Sequence, residues 1–163
     1  MVKEIKRSDW KRFCRRFNLE NQYRHARITL RDMHQNRETI PLEPFLGIKP
    51  SKKGRFINGL QLYTASWDPN NLAIPEVTLP DPDTIQIEKQ KNGLSLSLHV
   101  KSKNGSELML EISGDQDRSK AGGVVEKVAY SLYQNRGADN GRDIDDWFEA
   151  ENRLRFTEES LTT

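Results

Sequence analysis

The sequence has only one cysteine and no long apolar run. Cys14 has no partner for an internal disulfide, so nothing in the chain calls for an oxidising compartment. The N-terminal segment MVKEIKRSDW lacks the apolar stretch of a secretory signal, and no other window is long enough to cross a membrane. These absences predict a cytoplasmic protein with no membrane partner.

The familiar motifs of catalysis and of metal binding are also missing. The chain has neither a G-x-x-x-x-G-K-[ST] nor a G-x-G-x-x-G phosphate loop, and no serine lies in a nucleophile-elbow setting. Its histidines, His25, His34 and His99, are scattered, and the acidic loops at 81–83 and 115–117 lack the glycine of a calcium loop. We therefore predict no catalytic residue, no metal ligand and no cofactor, and an enzyme is only a third hypothesis.

Charge is plentiful and unevenly distributed. Charged residues make up 31% of the chain and hydrophobic residues 34%, so we expect a lean core and a densely charged surface. Residues 1–30 contain nine Lys/Arg against three acidic residues, a net charge of +6, which leaves −4 for the others out of the total of +2. The N-terminal part is basic and the remainder acidic.

The segment SDWKRFCRRFN predicts an amphipathic helix with an aromatic face. Trp10, Phe13, Cys14 and Phe17 fall within an arc of roughly 100° at helical spacing. Ser8 suits the N-cap, and Asn18 a C-terminal stop. The aromatic face requires a partner, and we expect that partner to be a sheet.

Alternating apolar residues predict that sheet. YRHARITLRDM, ETIPLEPFLGI and RFINGLQLYTA have strand character, and Pro41 and Pro44 favour an edge or a bulge in the second. The proline-rich segment 66–84 predicts turns with one short strand. Two Asn-Gly pairs, Asn92-Gly93 and Asn104-Gly105, separate three further alternating runs, which is typical of a three-stranded antiparallel meander.

Two helices follow a linker at 114–118. In the first, an apolar stripe wide enough to contact two neighbours includes Val124, Val125 and Val128, and Gly137 suits its end. In the second, Asp143 suits the cap, and Ile144, Trp147, Phe148, Ala150 and Leu154 form an apolar arc. Together they predict a helical hairpin.

Glu151 falls inside the apolar arc of the second helix, where a carboxylate needs donors or must be neutralised. A structural interpretation gives it hydrogen bonds from the loop backbone, from Tyr130 or Tyr133, or from Arg155. A functional interpretation makes it a general base or metal ligand. No second acid, histidine or cysteine stands at helical spacing to share such work, so we favour the structural interpretation for Asp143, Trp147, Ala150 and Glu151.

A resemblance supports the hairpin. The segment VAYSLYQNRGADNGRDIDDWFEAENRL resembles a short bacterial module, the domain of unknown function 2934, in which a Gly-containing loop precedes a helix with Trp-x-x-Ala-Glu. Trp147, Ala150 and Glu151 match that motif. Residues 2–113 are similar to the domain of unknown function 5335, which opens with a Trp-x-x-Phe helix, here Trp10 and Phe13. Neither resemblance implies an activity.

Basic residues supply the best candidates for a binding site. They can neutralise phosphates, and Phe56, Tyr63 and Trp67 can add stacking surface. If the first helix packs its aromatic side on the sheet, however, Arg27 and Arg31 point through the opposite sheet face, so one continuous patch is not required. The candidate nucleic-acid contacts are Lys11, Arg12, Arg15, Arg16, Arg27, Arg31, Lys49, Lys52, Lys53 and Arg55.

We therefore predict an α+β protein with an N-terminal helix on a bent antiparallel sheet or small open barrel, followed by a C-terminal helical hairpin. The expected units are an α+β domain at 1–113, the linker at 114–118, the hairpin at 119–157 and a tail at 158–163. The first functional hypothesis is a non-catalytic interaction or scaffold module that binds a protein partner or a second copy through the apolar stripe at 121–133. Nucleic-acid binding is the alternative.

Overall fold

The computed structural model describes residues 2–65, 69–70, 72, 74–91, 95–116, 120–138 and 141–163. Within these ranges the chain forms one antiparallel sheet, three α-helices and a short 3-10 helix at Arg7–Asp9. The strands are β1 (Val2–Ile5), β2 (His25–Arg31), β3 (Arg37–Lys53), β4 (Phe56–Thr64), β5 (Val77–Pro80), β6 (Pro82–Lys89), β7 (Leu96–Ser102) and β8 (Glu107–Ser113). The helices are α1 (Trp10–Asn21), α2 (Lys120–Asn135) and α3 (Asp143–Thr162). The predicted α+β class is confirmed.

The sheet is strongly curved. Its strand order is β1-β6-β7-β8-β2-β3-β4-β5, so β5 lies at one edge and β6 next to the other. Only Asp81 separates β5 from β6 along the chain, which brings the two ends of the sheet together. The backbone N–H of Asp81 donates to the Asn58 carbonyl oxygen at 3.0 Å, and its own carbonyl oxygen accepts from Lys103 at 2.9 Å. The sheet therefore curls into an open barrel.

The predicted strands are present, with β1 as an addition. The meander is β6-β7-β8, and the short strand expected in 66–84 is β5. β3 pairs with β2 over residues 37–44 and with β4 over residues 45–53, so Pro41 and Pro44 lie in a half of the strand that has one paired neighbour among the described residues. That half also has the predicted bulge, because β3 has one extra residue opposite Ala26 to Ile28. Asn92-Gly93, Trp67 and residues 117–118 of the linker lie outside the described residues. At the other turn, Gly105 has a φ of 91°, as such a tight turn requires.

Helix α1 covers one end of the main core. Trp10, Cys14 and Phe17 are buried with the inward-facing residues of the sheet, and the Phe17 ring meets Phe45 edge-on with centroids 5.5 Å apart. No side chain caps the start of α1, and the helix continues one turn beyond Asn18 to Asn21. The expected cap at Ser8 and the stop at Asn18 are therefore wrong.

Asn18 instead fastens three parts of the fold together. Beside residues 45–53 of β3 no described strand takes the place of β2, because β2 begins at His25, opposite Pro44. The Asn18 side chain fills that role: its Oδ1 accepts from the Ile48 N–H at 2.7 Å, and its Nδ2 donates to the Ile48 carbonyl oxygen at 2.8 Å. The same Nδ2 donates to the Leu161 carbonyl oxygen in α3 at 2.7 Å. One buried amide thus ties α1, β3 and α3.

The two C-terminal helices form a hairpin with its own core. Gly137, with a φ of 82°, ends α2 as predicted. The apolar side of α2 packs within the chain: Val124, Val125 and Val128 are buried in a cluster with Tyr23 and Leu46, and with Leu72, Ala150, Leu154 and Leu161. The stripe offered to a partner in the first hypothesis is therefore largely covered by the protein itself.

Helix α3 runs to Thr162, so residues 158–162 are its last turn and a half rather than a tail. Its buried residues are Asp146, Ala150, Leu154, Thr157 and Leu161, which recur every three or four positions along one narrow stripe. That stripe continues past the predicted end, which explains why the helix does too. None of the helices in the described ranges is long and apolar enough to cross a membrane.

Candidate nucleic-acid interface

A cleft of about 1110 Å³ lies between the start of α1, the β3–β4 hairpin and the C-terminal turn of α3. Its floor is apolar and includes Cys14, Ile48, Ile57 and Leu161. Burial raises the pKa of the Cys14 thiol to about 12, so this sulfur stays protonated at neutral pH and is no nucleophile. The groups that could interact with a ligand therefore belong to the residues of the cleft walls.

The walls carry six cationic side chains and no carboxylate side chain among the described residues. On the α1 side are Arg7, Lys11 and Arg15; on the hairpin side are Lys49, Lys52 and Arg55. Within the described part of the chain, none of these six forms an ion pair with an acidic residue. Like charges gathered without counter-charges repel one another, and an anion between them would relieve that repulsion.

Local structure explains how the cations come together. Lys11 and Arg15 are four residues apart on α1, so they lie one above the other on the same side of the helix. The hairpin turns at Gly54, whose φ of 65° suits a residue without Cβ, and it places Arg55 and Phe56 at its tip. The Phe56 side chain is 78% exposed. Packing of the aromatic face of α1 on β3 sets the cationic side of α1 beside this hairpin.

Arg7 is held more firmly than the other five cations. Its guanidinium donates to the carbonyl oxygens of Pro82 at 3.2 Å and Ile57 at 3.3 Å, and it lies 4.8 Å from the centre of the Trp10 ring. It joins the start of α1 to the place where the sheet closes. Arg7 is not among the ten predicted contacts, although its position three residues before the buried Trp10 could have indicated it.

Five of the ten predicted contacts therefore line the cleft: Lys11, Arg15, Lys49, Lys52 and Arg55. Three others are engaged with acids: Arg12 with Asp9 at 2.8 Å, Arg16 with Glu20 at 3.0 Å and Arg31 with Glu107 at 3.4 Å. Arg27 lines a separate small cavity beside Glu111, its neighbour on β8, and Lys53 is exposed and does not line the cleft.

Of the two predicted stacking residues that the structure describes, Phe56 lines the cleft and Tyr63 does not. Tyr63 is half-buried against the core of the helical hairpin of α2 and α3. Its hydroxyl donates a hydrogen bond to Gln61 Oε1 at 3.1 Å. Burial raises the pKa of the Tyr63 hydroxyl above its ordinary value. Trp67 lies outside the described residues.

Glu151 is away from this cleft and has a donor within its own helix. The indole N–H of Trp147 donates to Glu151 Oε1 at 2.7 Å, so the donor is none of those that the sequence suggested. Ala150 is fully buried, whereas Asp143 is exposed and its side chain forms no cap, because α3 begins at Asp143 after Arg142. No group of three His, Cys, Asp or Glu side chains in the described ranges is arranged to hold a metal ion.

In the helical hairpin, the buried carboxylate among the described residues is Asp146, in the first turn of α3. It is 4% exposed and forms a two-pronged ion pair with Arg136 at the end of α2; the Nη2 to Oδ2 distance is 2.9 Å. The pair joins α2 to α3 across the loop. The sequence contains a signal for this burial: Asp146 lies one helical turn before Ala150, so both residues fall on the same side of α3.

A family model described as "Protein of unknown function (DUF2934)" matches residues 125–155. These residues contain most of α2, the loop and the first half of α3, so the match agrees with the predicted resemblance of the hairpin. The resemblance of residues 2–113 to the domain of unknown function 5335 has no support in the comparisons and stays a prediction. No curated protein and no solved structure matches the chain.

Proposed function

We propose that the protein is a non-catalytic module that binds nucleic acid through the basic cleft. The observation that carries the proposal is the convergence of six Lys/Arg side chains on one cleft, with no acidic partner among the described residues. Cations on a protein surface are commonly compensated by acids, as Arg12 and Arg16 are here. A cleft in which all of them are left uncompensated favours a polyanionic ligand.

The energetic signature of such binding is its dependence on salt. Each phosphate neutralised by Lys or Arg releases condensed counterions, and log K falls with log salt by about 0.7 per contact for a single strand. Contacts from Lys11, Arg15, Lys49, Lys52 and Arg55 give a slope of about −3.5. Raising the salt from about 50 to about 200 mM should then weaken binding about 100-fold.

Charge reversal on one wall of the cleft tests the assignment. The triple variant Lys49→Glu/Lys52→Glu/Arg55→Glu should lose affinity for a labelled oligonucleotide at low salt. Because two phosphate contacts remain, the slope of log K against log salt should change to about −1.4. A matched control reverses three exposed lysines outside the cleft, Lys89, Lys91 and Lys103, and has the same net charge.

Fluorescence anisotropy titrations at several salt concentrations measure both quantities. We expect the control triple to bind nearly as well as the wild-type protein. Equal losses in the two triples would mean that only net charge matters, and absence of binding by the wild-type protein at low salt would refute the proposal.

A second candidate function is self-association through α3, and the exposed face of that helix favours it. Ile144, Trp147 and Phe148 are 71%, 39% and 58% exposed, and helical spacing puts them within about 100° of one another. This face replaces the α2 stripe as the surface for the interaction module of the first hypothesis. The bacterial origin and the cytoplasmic location also stay predictions.

Light scattering across a concentration series tests the second candidate. We expect a dimer of the 18.9 kDa chain that Phe148→Asp converts to a monomer. The control Phe156→Asp changes a phenylalanine that is 71% exposed and lies about 80° around α3 from Phe148, outside the proposed face, and it should leave the dimer intact. A monomer at every concentration would refute self-association and leave the nucleic-acid proposal untouched.

A further inference from the structure

We infer that the ligand of the basic cleft is a single strand, held by its phosphates between the two walls and by a base stacked on Phe56. The inference rests on the proposed function and adds the class of nucleic acid and the residue that selects it. It depends on three features of the site: the placement of the cations on two walls, the apolar floor, and the exposed aromatic ring at the hairpin tip.

The cations stand inside a concavity and not on a convex ridge. Lys11 and Arg15 approach it from α1, and Lys49 and Lys52 approach it from β3. A single backbone can enter and meet both walls. The phosphates of a duplex lie on the outside of a rigid body whose major groove alone is about 12 Å wide, so a duplex would reach only the rim.

The size of the cleft also favours a single strand. Its volume of about 1110 Å³ is close to the upper end of pockets that enclose small ligands, about 300–1,000 Å³. A space of that size takes a few nucleotides. Proteins that bind single strands in grooves cover about 4–16 nucleotides per small barrel.

The floor and the rim suit unpaired bases. Pro50 and Ile57 are partly exposed and offer apolar surface that phosphates do not need but that bases and sugars can cover, whereas Cys14 and Ile48 are buried beneath it. Phe56 is the most exposed large hydrophobic side chain in the described residues, and it stands beside Arg55. No other described ring stacks on it. An exposed ring among cations is the arrangement that binds bases without reading their sequence.

The experiment compares one labelled oligonucleotide of about 12 thymidines with a duplex of the same length and with vesicles of anionic lipid. We expect the wild-type protein to bind the single strand at least about tenfold more tightly than either. Phe56→Ala should weaken single-strand binding about 5- to 150-fold, the range expected for loss of one stacked base, and should leave the salt slope unchanged. Phe56→Trp should keep the wild-type affinity, because its ring can also stack on a base. Binding should quench the fluorescence of the introduced tryptophan.

Each outcome has a distinct meaning. Equal or tighter binding of the duplex, or single-strand binding that Phe56→Ala leaves unchanged, overturns the inference while the salt-dependent cleft survives as a nucleic-acid site. Preference for the vesicles over both nucleic acids overturns the inference and the proposed function together. Because Phe56 is exposed, its variants should melt at the wild-type temperature, which separates lost stacking from lost folding.

Discussion

Replacing Asn18 by alanine should lower the stability of the whole molecule by about 3 kcal/mol. The change leaves three buried backbone groups without their partner: the Ile48 N–H, the Ile48 carbonyl oxygen and the Leu161 carbonyl oxygen. A buried group deprived of its hydrogen bond costs about 1–3 kcal/mol. We take about 1 kcal/mol for each, because water can enter the space that the amide leaves and satisfy part of the loss.

Thermal unfolding followed by circular dichroism measures this effect. For a chain of this length 1 kcal/mol corresponds to about 2–4 °C, so the midpoint should fall by about 6–12 °C. Asn152→Ala removes the same amide from an exposed position on α3 and should stay within about 0.5 kcal/mol of the wild-type value. A shift for Asn18→Ala as small as that of the control would refute the assignment of Asn18 as a tie between three elements.

Asn18→Asp gives a second, sharper measurement. The carboxylate can still accept from the Ile48 N–H, but it faces two carbonyl oxygens that the amide nitrogen now serves. Burial and those oxygens would raise the pKa of this aspartate above its unfolded value. Stability should therefore be greatest in acid and should be lost as the pH rises through the raised pKa. A variant that is equally stable at about pH 4 and about pH 7 would contradict the geometry.

Three further predictions follow from single residues. Because burial raises the pKa of Cys14 to about 12, the native protein should resist alkylation by iodoacetamide at about pH 8 and react once denatured, as thiol titration would show. Burial and then Glu76 raise the pKa of Glu43, so stability falls as the pH rises through that pKa; Glu43→Gln should be more stable than wild type at about pH 7 and equal to it below about pH 4 in thermal melts. In Gly47→Ala the new Cβ would lie 2.9 Å from Asn18 Cγ, so its melting temperature should fall, and the double variant with Asn18→Ala should lose less than the sum of the two.

The fold class could be predicted because its signals are local. Alternation identified the strands from β2 to β8, and the Asn-Gly pairs separated the runs of the meander. Curvature and closure are not local, because they depend on how strands distant in sequence meet. The strand β1 was missed for a related reason: its four residues are mostly exposed, so they carry no apolar alternation to detect.

The helical hairpin shows where periodicity misleads. Ile144, Trp147 and Phe148 are apolar at helical spacing, yet they are exposed, while Asp146 and Thr157 are buried beside Ala150. The amphipathic pattern predicts that these apolar residues form the packing side of α3, because sequence alone does not reveal which neighbour the helix meets. The carboxylate of Asp146 is buried because Arg136 is there to meet it. Such pairing depends on the loop that folds α2 back onto α3.

The sequence predicts most of the residues of the candidate site but not how they are arranged. The pattern of Lys and Arg predicts five of the six cations of the cleft. It also predicts five others, of which three are paired with acids and two do not line the cleft. Whether an arginine is compensated depends on acids such as Glu107, which lies far along the chain from Arg31 and next to it across the sheet. Pattern alone cannot separate a free cation from a paired one.

The cleft is lined by residues from both sides of the expected division at 114–118. Two of its walls come from α1 and the β3–β4 hairpin, but the third is the last turn of α3, which includes Ser160 and Leu161. Asn18 holds that turn in place through the Leu161 carbonyl oxygen. Asn18→Ala should therefore weaken oligonucleotide binding as well as stability, although its side chain is buried below the cleft. Phe56→Ala should weaken binding alone. If the Asn18 variant binds as tightly as wild type at a temperature where both are folded, the α3 wall is dispensable and the site belongs to residues 1–113.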